Sequence, residues 1–225
     1  MKANATYIPA LRWKGLTTFY DAVLRWVMQE DHFKRELIRQ AQIQPGQQVL
    51  DLGCGTATLT VMLKRAHPDA RVTGLDGDPE VLRIGRVKTQ KAGLILTLDQ
   101  GMADELPYPG GSFDRVVSSL MFHHLTTQDK YLAMKEVYRV LRPGGSFWIV
   151  DFGPPQGVWS RFVSPMMARL EEVGDNHKGL LLTMMCLAGF KEVTSPVCFA
   201  TIFGTLYLYS GHKFDPKKVS NIACH

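Results

Sequence analysis

The run Gln48-Val49-Leu50-Asp51-Leu52-Gly53-Cys54-Gly55-Thr56-Ala57-Thr58-Leu59 decides the fold. Val49, Leu50 and Leu52 suit a buried strand, and Pro45-Gly46 punctuates its start. Gly53 and Gly55 permit a tight turn whose backbone a ligand can approach closely. From Thr56 to Lys64 the apolar residues Leu59, Met62 and Leu63 resume helical spacing, and a helix N-terminus offers unpaired N–H groups to a ligand. Strand, glycine turn and helix form the first unit of a doubly wound α/β sheet, whose ligands sit at the carboxyl ends of the strands.

The chain around this unit has 225 residues, enough for one sizeable core and short for two. A hydrophobic content of 45% with 21% charged residues is that of a globular protein. Met1 to Pro9 contain no apolar core of the kind a secretory leader needs. The longest apolar stretch, Leu180 to Phe190, is too short to span a bilayer. Cys54, Cys186, Cys198 and Cys224 lack metal-ligand spacing, so a reducing, cytoplasmic setting without a bound metal is the expectation. The net charge of +5 lies at the ends, with +3 in residues 1–44, +2 in residues 211–225 and a neutral middle. A nucleic-acid enzyme carries a basic stripe beside its site, and the neutral middle offers none. The basic ends suit at most a weak contact with an anionic membrane surface.

Outward from the glycine turn, residues 11–42 read as two helices, the first with Leu16, Phe19, Tyr20, Val23 and Val27 on one face and the second opening at Asp31. A second strand runs from Arg71 to Asp76, and Asp78-Pro79-Glu80 starts a helix with Val81, Leu82, Ile84 and Val87 on its apolar side. Leu94 to Leu98 is a third strand and Phe113 to Ser119 a fourth. Gln128 to Leu141 is an amphipathic helix with Leu132, Val137, Val140 and Leu141 apolar, ended by Arg142-Pro143-Gly144-Gly145. Ser146 to Phe152 makes a fifth strand, and His177 to Ala188 a last core helix. Glu192 to Ile202, interrupted by Pro196, and Thr205 to Gly211 are separated so briefly that they must pair antiparallel. The expected plan is a helical cap over residues 1–44, a core over 45–211 with an insert at 153–176, and a loose tail over 212–225.

Four ordered motifs resemble class I S-adenosylmethionine-dependent methyltransferases. They are Asp51-Leu52-Gly53-Cys54-Gly55-Thr56-Ala57, the acid Asp76 ending the second strand, the Ser112-Phe113-Asp114 entry to the fourth strand, and Leu141-Arg142-Pro143-Gly144-Gly145 before the fifth. The pattern is similar to the small-molecule enzymes that methylate ubiquinone and menaquinone precursors, with phospholipid N-methyltransferases nearby. The resemblance implies a Rossmann-like methyltransferase fold, α/β and doubly wound, with seven mostly parallel strands and the last one antiparallel. It also implies S-adenosyl-L-methionine as cofactor, with S-adenosyl-L-homocysteine as product. The implied contacts are Asp51, Gly53, Cys54 and Gly55 in the first motif, Asp76 and Gly77 at the ribose, and Ser118 ending the fourth strand. Tyr20, in Phe19-Tyr20-Asp21, matches a tyrosine-aspartate pair that precedes the first motif in several relatives, and otherwise reads as a core tyrosine. Where the family carries Gly-Asp-Ala ahead of Leu-Pro-Phe, this chain has Gly101-Met102-Ala103, so adenine recognition passes to a backbone group near Met102 and Ala103 or to Asp104.

A proton must often leave the methyl acceptor, which calls for a base. His123 and His124 follow the fourth strand where the methyl should lie, and histidine titrates near neutrality. The opposing reading is that the pair packs and hydrogen-bonds a loop. If one is the base, only one of two adjacent residues faces the substrate. The segment Ser118-Ser119-Leu120-Met121-Phe122 lacks the Asn/Asp-Pro-Pro-Tyr signature that holds planar amines, which argues against base or amide methylation. The first helix, with Trp159, Phe162, Met166 and Met167 of the insert, would roof an apolar or lipid-like small acceptor rather than a protein or nucleic acid. Two rivals stay in view, a nicotinamide-dependent oxidoreductase and a nucleotide-binding module without methylation activity. Asp51 before the first glycine, and Thr58 where a dinucleotide fingerprint wants glycine, tell against the first.

Overall fold

The computed structural model describes residues 30–156 and 174–219. The elements run α1 (Glu30–Gln40), β1 (Gln48–Leu52), α2 (Thr58–Ala66), β2 (Arg71–Asp76), α3 (Pro79–Lys91), β3 (Thr97–Gln100) and β4 (Phe113–Ser119). A 3-10 turn over Phe122–His124 leads to α4 (Thr127–Val140) and β5 (Leu141–Phe152). Then come α5 (Gly174–His177), α6 (Leu180–Ala188), β6 (Lys191–Thr201), β7 (Gly204–His212) and α7 (Pro216–Val219). Tyr20, the first expected helix and the aromatic part of the insert lie outside the described residues.

The strands form a seven-stranded sheet in the order β3-β2-β1-β4-β5-β7-β6. β1 to β5 pair in parallel, whereas β7 is antiparallel to both β5 and β6. The strand order reverses between β1 and β4, and the crevice at such a switch point is where doubly wound sheets take their ligands. Alternation along the strands divides the core. Leu50 and Leu52 of β1 join Phe113, Val116, Phe147, Ile149 and the inner sides of α4 and α6 on one face. Val49, Val117, Trp148 and Val150 meet Phe33 and Leu37 of α1 and Leu59 and Leu63 of α2 on the other.

Several expected boundaries move for identifiable reasons. β3 starts at Thr97 rather than Leu94, because its register is set by pairing Thr73 with Thr97 and Asp76 with Gln100. Ile95 is fully exposed as a result. On α3, Ile84 and Val87 are exposed, and Gly85 and Thr89 are buried beside Val81 and Leu82. Arg142 to Gly145 do not close α4 as an irregular turn; they belong to β5, with a register shift between Phe113 and Arg115. Gly179, at φ 73°, separates α5 from α6 inside the expected last helix. Pro196 falls where the β6 register shifts between Thr194 and Val197, and an edge strand tolerates the missing N–H.

The start of the expected tail is anchored. Lys213 donates its N–H to Gly145 O at 2.8 Å and accepts from Gly144 N at 3.0 Å. Its Nζ caps the last carbonyls of α4, at 2.7 Å from Tyr138 O and 2.7 Å from Leu141 O. A cation at a helix C-terminus also meets the negative end of the macrodipole.

Candidate active site

The glycine turn is held by backbone bonds from the next strand. Gly53 and Cys54 both donate their N–H to Leu75 O, at 2.8 and 2.9 Å. Gly53, Gly55 and Ala57 have φ of 70°, 52° and 61°, so the chain passes three left-handed residues before α2 begins. Only two are glycine. Ala57 therefore accepts a conformation that costs a side-chain-bearing residue about 1–2 kcal/mol, and it does so fully buried. A Cβ on Gly53 would lie 2.4 Å from Met121 Cγ, whereas a Cβ on Gly55 would meet no atom of the described residues within 4 Å. The two glycines thus have different jobs. Gly53 admits Met121, and Gly55 leaves open space above the turn. From α3, Lys88 Nζ donates to Thr56 Oγ1 at 2.8 Å and Thr58 Oγ1 at 2.7 Å, bracing the turn from outside.

Asp76 sits beside that space and is tied to it. Its Oδ2 accepts from Gly55 N at 2.8 Å, and its Oδ1 accepts from Asp78 N at 2.9 Å. Burial raises its pKa, partly opposed by the Asp78 and Gly55 amides. Gly77 follows directly and accepts a bond from Gln100 Nε2 at 3.4 Å. Asp51, at the end of β1, is 1% exposed, and its Oδ2 accepts from Thr60 Oγ1 at 2.6 Å. Burial pushes its pKa up to about 6 despite that bond and the nearby Lys34. The Cys54 thiol is buried, and burial followed by the charges of Asp51 and Asp76 pushes its pKa up, so it packs as a small apolar group.

Met102 and Ala103 follow β3. Met102 is 40% exposed and forms an isolated bridge with Glu105, and Ala103 leans on the core. Ser118 is fully buried, and its Oγ donates to Leu52 O at 2.8 Å. It joins the ends of β1 and β4 from beneath the crevice.

The two histidines separate in environment. His123 is 5% exposed and its Nδ1 lies 2.9 Å from Asp151 Oδ1. His124 is exposed. The protein packed about its ring and, second, the His123 ring 4.0 Å away still lower its pKa. Asp151, fully buried on β5, also accepts from His123 N at 3.3 Å, Phe152 N at 2.7 Å and Asn176 Nδ2 at 3.2 Å. Burial alone would raise its pKa, but His123 and these donors outweigh it and hold the carboxyl below its ordinary value. An ionised Asp151 only accepts, so His123 Nδ1 carries the proton of that bond. Just before this turn, Leu120 has φ 55° and donates its N–H to Val150 O at 2.8 Å. Strain of this kind persists where surrounding structure over-determines the backbone.

Leu120, Met121, Asp151 and Asn176 were not anticipated. An acid inside Phe147-Trp148-Ile149-Val150-Asp151-Phe152 was a usable signal, because a buried strand tolerates a carboxylate only with partners. Asn176 carried none. Among the described residues no three His, Cys, Asp or Glu side chains gather as a metal site, and no helix is long and apolar enough to cross a membrane.

Residues 49–145 match the family model described as a methyltransferase domain. Among individual relatives, the chain is 36% identical over 136 residues to the demethylmenaquinone methyltransferase of Thermus thermophilus, covering 60% of this chain and 58% of that one. It is 33% identical over 147 residues to the demethylmenaquinone methyltransferase of Listeria welshimeri, covering 61% of each. The chain thus spans less than two thirds of the length of the curated relatives it matches. Among solved structures, a SAM-dependent methyltransferase of Methanosarcina mazei superposes with a TM-score of 0.62 at 20% identity, over 79% of this chain and 97% of that one. A [4+2]-cyclase superposes with a TM-score of 0.57 at 15% identity, over 82% of each. These two likenesses show the fold alone, and the second shows that the fold also carries other chemistry.

Proposed function

We propose that the protein is an S-adenosylmethionine-dependent methyltransferase acting on a small, apolar, ring-bearing acceptor of the quinone-precursor type. The observation that carries this reading is the bond from Gly55 N to Asp76 Oδ2 at 2.8 Å beside the open space at Gly55. It puts a carboxylate and a side-chain-free turn together at the switch point of the sheet. A cofactor with a ribose and a cationic amine fits that donor set. Asp76 takes the ribose hydroxyls through the lone pairs its two amide bonds leave, Gly53 and Gly55 let the cofactor lie against the backbone, and Asp51 balances the amine. Met102 and Ala103 line the adenine end, where an exposed thioether offers a soft apolar contact in place of an acid.

When bound, S-adenosylmethionine supplies a methyl group already activated by its sulfonium. This chain's own task is to orient the acceptor, exclude water and hold a proton. His123 is the proton holder, its imidazole oriented by Asp151 through Nδ1. The quinone-type acceptor is supported by the similarity to two proteins named demethylmenaquinone methyltransferases. Titration calorimetry with S-adenosylmethionine and with NADH tests the cofactor, and binding of NADH alone would overturn it. A methyl-release assay over demethylated quinols, phenols and lipid amines tests the acceptor. Turnover confined to the lipid amines would replace the quinone-type reading.

A further inference from the structure

Asn176 stands on α5 and is fully buried. Its Nδ2 donates to Asp151 Oδ1 at 3.2 Å, the same oxygen that receives His123 Nδ1 at 2.9 Å. Its own Oδ1 is buried with no hydrogen-bond partner among the described residues. The amide cannot be turned round, because Asp151 is an acceptor and the nitrogen must face it. A buried orphan oxygen is unfavourable for folding, and an apolar side chain of similar size would remove it. Asn176 is therefore poorly explained as a packing residue and well explained by what its nitrogen does.

We propose that Asn176 is a positioning residue for proton transfer, fixing Asp151 so that the carboxylate presents one oxygen to His123 Nδ1. The inference rests on the reading of His123 as proton holder. By drawing charge from the shared oxygen, Asn176 also tempers how strongly Asp151 favours the imidazolium. Among the described residues three other groups bear on this pair. The exposed ring of His124 lies tilted at 45° beside His123, Tyr209 is kept a neutral phenol first by burial and then by Asp151, and Asp175, next to Asn176, is 3.6 Å from buried Lys130.

The test uses the full chain, labelled with 15N, and needs no acceptor. Histidine side-chain correlation spectra over a pH series report the tautomer and titration midpoint of His123, assigned with His123→Gln. Wild type should show the Nδ1–H tautomer as the dominant neutral form. Asn176→Leu should move the His123 midpoint upward by about half a unit or more, with the Nδ1–H tautomer kept as the dominant neutral form. A midpoint unchanged in a folded Asn176→Leu protein would overturn the proposal. Should that variant not fold, Asn176→Ala, which only removes atoms, is measured and judged by the same criterion. Failure of every quinone-type acceptor in the methyl-release assay would strike the proposed function and leave this spectral result standing. An unmoved midpoint in a protein that still methylates would strike Asn176 alone.

Discussion

Gly55 donates its backbone N–H to Asp76 Oδ2 at 2.8 Å, so the residue that leaves space above the turn is fastened to the acid that lines it. Asp76→Ala removes two amide acceptors in the folded protein and the expected ribose contact together. Loss of charge-assisted bonds of this kind should weaken S-adenosylmethionine binding by about 3 kcal/mol, roughly 100-fold in Kd. Titration calorimetry measures it. Wild-type affinity in Asp76→Ala would remove Asp76 from the site.

Gly53 and Met121 form a second pair that can be tested sterically. Gly53→Ala sets a methyl group 2.4 Å from Met121 Cγ and forces alanine to φ 70°. The variant should lose more stability than the roughly 1–2 kcal/mol of backbone strain alone. Adding Met121→Ala should recover the steric part and leave the strain. Chemical denaturation of the two single variants and the double variant supplies the cycle. Strict additivity would show that Met121 is not what Gly53 accommodates.

Asp51 gives stability a pH dependence of definite sign. Its folded pKa is raised from 3.8 to about 6, so the folded protein binds the extra proton between those values. The contribution is full below pH 3.8 and is lost as pH rises through about 6. Asp51→Asn should therefore gain on wild type by up to about 3 kcal/mol at pH 8, with the gap closing below pH 4. Denaturation at both pH values decides it. In wild type near pH 6, binding of the cofactor's amine should expel a proton, seen as a calorimetric enthalpy that depends on the buffer and no longer does so in Asp51→Asn.

The two histidines should differ in kinetics. His123→Ala should lower single-turnover rates by about 10²-fold or more with cofactor affinity nearly intact, because a base acts in the transition state. His124→Ala, which removes an exposed ring that makes no side-chain hydrogen bond to a carboxylate among the described residues, should cost less. Equal loss of rate and cofactor affinity in His123→Ala would assign His123 to packing.

Much of the candidate site's geometry was legible because its residues are fixed by the backbone. Gly53, Gly55 and Asp76 follow from a turn that needs left-handed residues and from a strand end that the sheet order brings beside it. The limits of β4 were equally plain, since a turn opens it and its apolar run closes at Ser119. Local pattern failed where tertiary pairing overrides it. Ile95 reads as a strand residue and is fully exposed, because β3 begins where β2 can pair with it. Lys130 reads as surface and is fully buried, 3.6 Å from Asp175, a residue 45 positions further along the chain. Asn176 stayed hidden for the same reason: its significance lies in Asp151, and nothing in Gly174-Asp175-Asn176-His177 points there.

The place of β7 between β5 and β6 also governs how the molecule can be made. β6 leaves the ribosome first yet has no seat until β7 has been laid along β5. Throughout that interval β5 shows a bare edge of Phe147, Trp148, Ile149 and Val150. Such an edge is a template for wrong partners, and an emerging chain must keep it covered or quickly filled. The last strand of the described sheet is thus the one that closes it, and slow delivery of residues 204–212 should show itself as aggregation rather than as a stable half-formed sheet.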